Sequence, residues 1–470
     1  MRHIEDWRPE DNRFWIETGR KIAWRNLWWA VASLILSFSV WMMWSSLVVY
    51  LRETRPDLSD SQLFQLTALP LISAAFLRVI YSFMVPIYGG RRWTLFSTAI
   101  LLVPLLWMIR VLAGDHTPFW TLAVIALLSG LGGAVFASCQ ANVSLFFPRQ
   151  KQGVALGINA AIGNSGVGLI QLVIPFLVAF DFTGLIDLEG AILSSGTRVW
   201  LTNVPLLLAI MIALVCVGIA FRMNDLNSMR FPLRDQMTVL KNRHVWIMSV
   251  LYTFAFGSFI GFAAGFPLVL ASQFPGQNAT VLAFLGVTIG ALTRPLGNLL
   301  ATRMGSARAT FAIFVMMILA LWLSLLFTPG DGMTGSLWGF LASYALLFAG
   351  TGLGIGSVTE MILDIFAAHY KRHQQEIERE ERLRGYRRDS ATSLGITASL
   401  ATLGAFFMPA IFSTSLAWDS TLNLAVMWFT VLYVSCLGIT WFCYMAMAER
   451  NPFLAPDGQG GWMKLNHYDL

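Results

Sequence analysis

Residues 26–50 read NLWWAVASLILSFSVWMMWSSLVVY, twenty-five positions without a charged side chain. A helix rises 1.5 Å per residue, so about 20 apolar residues cross the hydrocarbon core of a bilayer. The run is long enough to span and too apolar to sit on a surface. It also lacks the alternation over roughly ten residues that marks a barrel strand. A transmembrane helix is the reading that remains.

Working outward, further runs of this kind follow at 63–86, 93–112, 119–146, 153–180 and 200–221. After a basic stretch at 222–244 they resume at 245–271, 280–302, 309–327, 337–366, 390–415 and 423–447. The chain is 56% hydrophobic and 12% charged, where a soluble domain carries about 25% charged residues. The expected fold is an all-α membrane protein of twelve transmembrane helices in two pseudo-symmetric six-helix halves. Its parts are a cytoplasmic N-terminal tail (1–25), an N-terminal bundle (26–221), a cytoplasmic linker (222–244), a C-terminal bundle (245–447) and a cytoplasmic C-terminal tail (448–470).

Met1 to Arg25 is polar and lacks a short apolar stretch ending in a small-residue cleavage site. No cleaved signal peptide is expected, and the first helix serves as the insertion signal. Cys139, Cys216, Cys436 and Cys443 all lie in apolar stretches, where free cysteine behaves as a small buried hydrophobe. Neither a disulfide framework nor a metal site is indicated. The six histidines fall in tails, loops or helix ends, so no histidine proton relay is expected at mid-membrane. No phosphate-binding loop, metal motif or hydrolase triad is legible, which argues against an enzyme and against an ATP-driven pump within this chain. No cofactor is expected.

The net charge of +6 would suggest nucleic acid in a soluble protein; here topology explains it. With the N-terminus inside, the expected cytoplasmic segments carry 26 Lys and Arg, and the external loops only Arg52, Arg55, Arg110 and Arg198. This is the positive-inside pattern, with both termini cytoplasmic and the chain in a bacterial inner membrane. Two basic residues remain, Arg78 and Arg294, each well inside an apolar run.

A charge at the bilayer centre costs at least ~2.5–3.5 kcal/mol on insertion scales and usually faces the bundle interior for a functional reason. Arg78 lies in Ala75-Phe76-Leu77-Arg78-Val79-Ile80-Tyr81 of the second run, and Arg294 in Gly290-Ala291-Leu292-Thr293-Arg294-Pro295 of the eighth. Arg78 precedes the basic Arg91 by 13 residues and Arg294 precedes Arg308 by 14. A duplicated six-helix unit would set both across one central cavity, where transporters of this build bind substrate. Each arginine has an alternative use, pairing with a carboxylate or with helix carbonyls to lock the bundle. Carboxylates within the runs are scarce, Glu360 and Asp364 being the main ones. Two symmetric cations with so few partners point to a missing anion, and the planar guanidinium fork suits a planar oxyanion.

The fifth run holds Leu156-Gly157-Ile158-Asn159-Ala160-Ala161-Ile162-Gly163-Asn164-Ser165-Gly166-Val167-Gly168, followed by Gln171. Small residues let helix backbones approach closely, and asparagine bonds across a bundle. Further distinctive stretches are Asp6-Trp7-Arg8-Pro9-Glu10, Leu66-Thr67-Ala68-Leu69-Pro70, Tyr81-Ser82-Phe83-Met84-Val85-Pro86, Gly89-Gly90-Arg91-Arg92-Trp93 and Phe146-Phe147-Pro148. Met223-Asn224-Asp225-Leu226 and Phe256-Gly257-Ser258-Phe259-Ile260-Gly261-Phe262 follow toward and into the second half. In these stretches the chain resembles the nitrate/nitrite porter family of the major facilitator superfamily, and bacterial nitrate/nitrite antiporters in particular.

The resemblance implies a major facilitator fold, with nitrate and nitrite as substrates. It implies that the paired arginines Arg78 and Arg294 bind the anion, that Asn164 makes a polar contact, and that Phe136, Tyr252 and Phe256 sandwich it, with Phe38 along the route. Simple core packing is the alternative for each aromatic. Gly157, Gly163, Gly166, Gly168, Gly395 and Gly404 are implied to serve packing or conformational change. The sequence also departs from the family pattern. Ala160 and Ala161 replace paired glycines, and the second glycine signature is only partly kept between Gly395 and Ala405. Leu300-Ala301-Thr302-Arg303 stands where an acidic residue is usual, and Glu360 where an uncharged amide is usual. Glu360 is expected either to take part in coupling, as a desolvated carboxyl whose proton affinity rises, or to pair with Arg303 or Arg308.

Residues 371–388, KRHQQEIEREERLRGYRR, mix both signs at helical spacing and are expected to form a solvated cytoplasmic helix or connector. The expected activity is secondary transport of nitrate and nitrite, as exchange by alternating access. A nitrate–proton symporter and a non-transporting membrane sensor on the same fold are the alternatives. The expected partners are the two anions and the lipid bilayer, with no nucleic acid, and the protein is expected to be monomeric.

Overall fold

A computed structural model describes residues 3–4, 6–114, 117–181, 190–193, 195–226, 240–275, 279–329, 335–373 and 379–446. Among the described residues twelve helices are long and apolar enough to cross a membrane. We number them in chain order. The first six are α1 (Asn12–Thr54), α2 (Asp60–Ser82), α3 (Gly90–Leu112), α4 (Phe119–Phe146), α5 (Lys151–Ala179) and α6 (Asn203–Arg222). The second six are α7 (Arg243–Gln273), α8 (Ala283–Met304), α9 (Ser306–Leu325), α10 (Leu337–Ala368), α11 (Thr392–Asp419) and α12 (Asn423–Met445). Each coincides with one of the twelve apolar runs.

The largest departure is at the first helix, which begins at Asn12 rather than at residue 26. Asp11 caps it by accepting from the backbone N–H groups of Arg13 and Phe14, and one π-type stretch, Trp15–Gly19, leads into the apolar body. Hydropathy sees only that body; the polar preamble is helical because it is capped. Two small parallel and antiparallel pairings complete the described backbone. Strand β1 (His3–Ile4) pairs in parallel with β4 (Asp225–Leu226), and β2 (Ala191–Ile192) with β3 (Arg198–Val199). Most of the linker, all of 448–470 and the backbone of 374–378 within the charged stretch lie outside the described residues.

The chain divides into two compact units: residues 1–231 with 263–284, and residues 232–262 with 285–470. The helix α7 is therefore divided, its C-terminal part from Ala263 grouping with the first unit.

In the first unit α1 is the central post. Close backbone approach is possible because its neighbours carry glycine where they cross it. A Cβ on Gly166 of α5 would lie 2.3 Å from the Ile35 carbonyl oxygen, and one on Gly132 of α4 would lie 2.1 Å from that of Ser37. Ser39 Oγ completes the α1–α5 contact by donating to the Gly166 carbonyl at 3.2 Å. Indole N–H groups, costly to bury unbonded, find partners across the bundle. Trp41 Nε1 donates to the Pro70 carbonyl at 3.0 Å and Trp44 Nε1 to Ser129 Oγ at 3.1 Å. At the end that carries the N-terminus, the buried Asp225 carboxylate receives the backbone N–H of Arg91 at 2.8 Å and Arg91 Nε at 3.2 Å. It thereby ties the α2–α3 turn, where Gly89 adopts φ +90°, to the segment after α6.

In the second unit α8 and α10 meet backbone to backbone. A Cβ on Gly352 would lie 2.0 Å from the Gly290 carbonyl oxygen, and one on Gly356 would lie 2.3 Å from that of Arg294. Phe429 meets both Phe262 and Phe412 edge-to-face at 5.1 and 5.2 Å, a geometry aromatic quadrupoles favour, and Phe262 and Phe412 lie tilted at 5.9 Å. Tyr433 donates to Ser258 Oγ at 2.8 Å, and Thr310 and Ser357 share a 2.6 Å hydrogen bond.

Candidate functional site

Arg78 sits on α2 with 2% of its surface exposed. Its Nε donates to the Gly133 carbonyl of α4 at 2.9 Å. The guanidinium carbon lies 5.3 Å from the Trp41 ring centroid and 5.5 Å from that of Phe136. Both distances are within the range of a cation–π attraction, which strengthens on desolvation. Phe136 in turn stacks on Phe38 at 6.1 Å with an interplanar angle of 26°. Three helices therefore fix one cation: α2 presents it, α1 supplies Trp41 and Phe38, and α4 supplies Phe136 and the carbonyl.

The carbonyl and the ring reach Arg78 because Gly133 has no side chain. A Cβ there would lie 2.6 Å from the Trp41 ring and 2.7 Å from the Ala74 Cβ. Neither Trp41 nor Gly133 was among the residues expected from sequence. The signal present was the run Gly130-Leu131-Gly132-Gly133, but its meaning depends on which helix crosses it.

Asn164 is buried on α5, and its side chain makes no hydrogen bond to a described residue. The neighbouring Asn159 donates to Gln140 Oε1 at 2.9 Å. The α5 glycines differ among themselves. A Cβ on Gly163 would meet Leu34 at 2.3 Å, whereas one on Gly157 would meet nothing within 4 Å; Gly168 is buried.

In the second unit Arg294 is half-buried on α8, directly on the tight α8–α10 seam. No described carboxylate, carbonyl or ring pairs with its guanidinium. Thr293 beside it donates to the Ala349 carbonyl of α10 at 3.1 Å, fixing the helix rotation. The glycines Gly352 and Gly356 that hold α10 against this turn were also missed; they belong to the run Gly350-Thr351-Gly352-Leu353-Gly354-Ile355-Gly356.

Tyr252 and Phe256 of α7 are both buried and stack nearly parallel, 5.6 Å apart at 11°. A π-type turn, Thr253–Gly257, begins directly after Tyr252 and contains Phe256. Such single-turn π insertions occur disproportionately at functional sites. Glu360 is half-buried on α10. On α11 a Cβ at Gly404 would meet Thr253 at 2.0 Å and one at Gly395 would meet nothing within 4 Å.

Twelve spanning helices, each unit carrying a mid-span arginine and an aromatic pair, define a polytopic membrane carrier. The Major Facilitator Superfamily pattern matches residues 29–375. The chain is 40% identical over 451 residues to the nitrate/nitrite transporter NarU of Salmonella typhimurium, covering 96% of this chain and 97% of that one. It is 40% identical over 443 residues to NarU of Escherichia coli, covering 94% and 96%. It is 32% identical to the probable nitrate/nitrite antiporter NarK2 of Thermus thermophilus, covering 96% and 98%. Among solved structures it is similar to a D-xylose–proton symporter, with a TM-score of 0.65 and 14% identity over 89% of this chain and 97% of that one; this last likeness concerns the fold alone. The chain belongs to the nitrate/nitrite porter family of the major facilitator superfamily, a family of transporters and not of enzymes.

Proposed function

We propose that this protein carries nitrate and nitrite across the bacterial inner membrane by alternating access, exchanging one for the other, with both termini in the cytoplasm. One observation carries the site: Arg294 stands in the middle of an apolar span with no counter-charge among the described residues. An uncompensated guanidinium inside a membrane is expensive, and a small anion is the species that relieves it. Arg78 is the matching cation of the first unit, held in register by Gly133, Trp41 and Phe136. The whole-length similarity to nitrate/nitrite transporters names the anions.

In this reading Arg78 and Arg294 bind the anion, Phe136, Tyr252 and Phe256 pack on its flat faces, and Asn164 offers an amide donor. A mid-span guanidinium without an anion is an uncompensated charge; occupancy removes that penalty and permits the switch. A ligand shifts a conformational equilibrium only through such differential stabilisation. The protein works as a monomer.

Titration calorimetry on the purified protein tests the assignment. Nitrate and nitrite are expected to compete for one site that sulfate does not enter. Absence of binding by either anion would overturn it.

A further inference from the structure

Along the second half of α4 the open and closed positions separate by face. Phe136, Ala137, Gln140, Ala141 and Ser144 are half-buried, while residues 138–139 and 142–143 between them are buried. Residues three and four apart share a helix face, so the half-buried positions form one open stripe. Its first member, Phe136, has its ring centroid 5.5 Å from the Arg78 guanidinium carbon, and residues 132–135 before it are all buried. From Phe136 the stripe runs toward the C-terminal end of the helix.

Gln140 is the amide of this stripe, one turn or about 6 Å beyond Phe136. An amide turned to lipid would go without hydrogen bonds, so its presence marks a face that meets water or a polar solute. Ser144 gives the contrast, because its hydroxyl donates to the Ala141 carbonyl of its own helix at 2.7 Å. Gln140 Oε1 accepts from Asn159 Nδ2 of α5 at 2.9 Å, while its Nε2 donates to no described residue. Asn159 is fully buried, and its own Oδ1 has no hydrogen bond among the described residues. What the Asn159 amide fixes is therefore the Gln140 oxygen. With that oxygen held against α5, the two N–H groups of Gln140 face away from it. Helical side chains lean toward the N-terminus of their helix, which for Gln140 is the side of Phe136 and Arg78.

We propose that Gln140 is a further anion-binding residue of the first unit, donating from Nε2 to an oxyanion held by Arg78 and favouring nitrate over nitrite. Asn159 is the positioning residue that aims it. This deepens the nitrate and nitrite reading above and rests on it. A guanidinium engages two oxygens of a planar anion. Nitrite has only those two, whereas nitrate offers a third for the amide.

Titration calorimetry on the full-length protein, with nitrate and with nitrite, tests the assignment. Gln140→Met keeps the length of the side chain and removes its donors. It is expected to weaken nitrate binding roughly 10- to 150-fold, the span of one hydrogen bond to a charged group, and to change nitrite binding little. Ser144→Ala, on the same stripe, is expected to leave both affinities unchanged. Asn159→Leu is expected to weaken nitrate binding in the wild-type background and to add nothing once Gln140 is replaced. A merely structural asparagine would add its loss in either background. If Asn159→Leu does not fold, Gln140→Met decides.

Unchanged nitrate affinity in Gln140→Met, equal losses of nitrate and nitrite, or additive losses in the double variant would overturn the assignment and leave the transport reading in place. A wild type that binds neither anion would overturn both.

Discussion

The Nε of Arg78 donates to the carbonyl of Gly133 at 2.9 Å, and that glycine also leaves the room in which Trp41 lies against the guanidinium. One residue without a side chain thus sets both the orientation and the surroundings of a mid-span cation. The arrangement makes the charge tolerable, since a hydrogen bond to a carbonyl and two ring faces replace part of its hydration.

Arg78→Lys and Arg294→Lys keep the charge and remove the fork. Lysine offers a point charge in place of a planar pair of donors, and a hydrogen bond to a charged group is worth about 1.5–3 kcal/mol. Each substitution is expected to weaken nitrate binding at least tenfold in calorimetry while leaving the protein monodisperse. Wild-type affinity in both variants would remove the arginines from the site.

Gly133→Ala forces a Cβ to within 2.6 Å of the Trp41 ring. Trp41 is itself pinned by the Pro70 carbonyl, so the strain falls on the contact with Arg78. Overpacking of this kind costs about 1–3 kcal/mol, expected as a lower melting temperature together with weaker nitrate binding. Gly157→Ala, which meets nothing within 4 Å, is expected to leave the melting temperature unchanged or to raise it, because alanine is the better helix former by up to about 1 kcal/mol.

On the other unit, Gly356→Ala places a Cβ 2.3 Å from the Arg294 carbonyl oxygen. The neighbouring atoms are backbone and cannot swing away, so α8 and α10 must separate. Loss of anion binding larger than the loss of stability is the expected result. Equal losses would mean that the seam serves packing and nothing more.

The twelve helices were legible because long apolar runs have few other uses, and the two arginines stood out once the remaining basic residues were assigned to one side. The surroundings of those arginines were not legible. Trp41 looks like any tryptophan of an apolar helix, and a glycine run such as Gly130–Gly133 does not say which partner it admits. Both depend on how neighbouring helices cross, and helix rotation leaves only a weak mark in spans that are apolar nearly all round. The helical preamble Asn12–Arg25 was missed for the opposite reason, since it is polar and formed by capping at Asp11. The π-type turn that follows Tyr252 and contains Phe256 has no sequence signature at all.

Asp225 closes the first unit at the end that carries the N-terminus. It is buried and accepts from the backbone N–H groups of Arg91 and Arg92 as well as from Arg91 Nε. Asp225→Ala is expected to destabilise the unit by up to the roughly 3–5 kcal/mol of a broken buried ion pair. Asp225→Asn is expected to cost less, because its amide oxygen still accepts from the backbone. Thermal denaturation in detergent with and without saturating nitrate checks both. An Asp225→Ala protein as stable as the wild type would contradict the clasp.

The most direct test is nitrate uptake by proteoliposomes loaded with nitrite, with equal pH on both sides, comparing the wild type with Arg294→Lys. Exchange through the arginine site predicts rapid uptake by nitrite-loaded wild-type vesicles, none by empty ones and none with Arg294→Lys. Uptake that requires a proton gradient and ignores internal nitrite, or uptake that survives Arg294→Lys, would contradict the account.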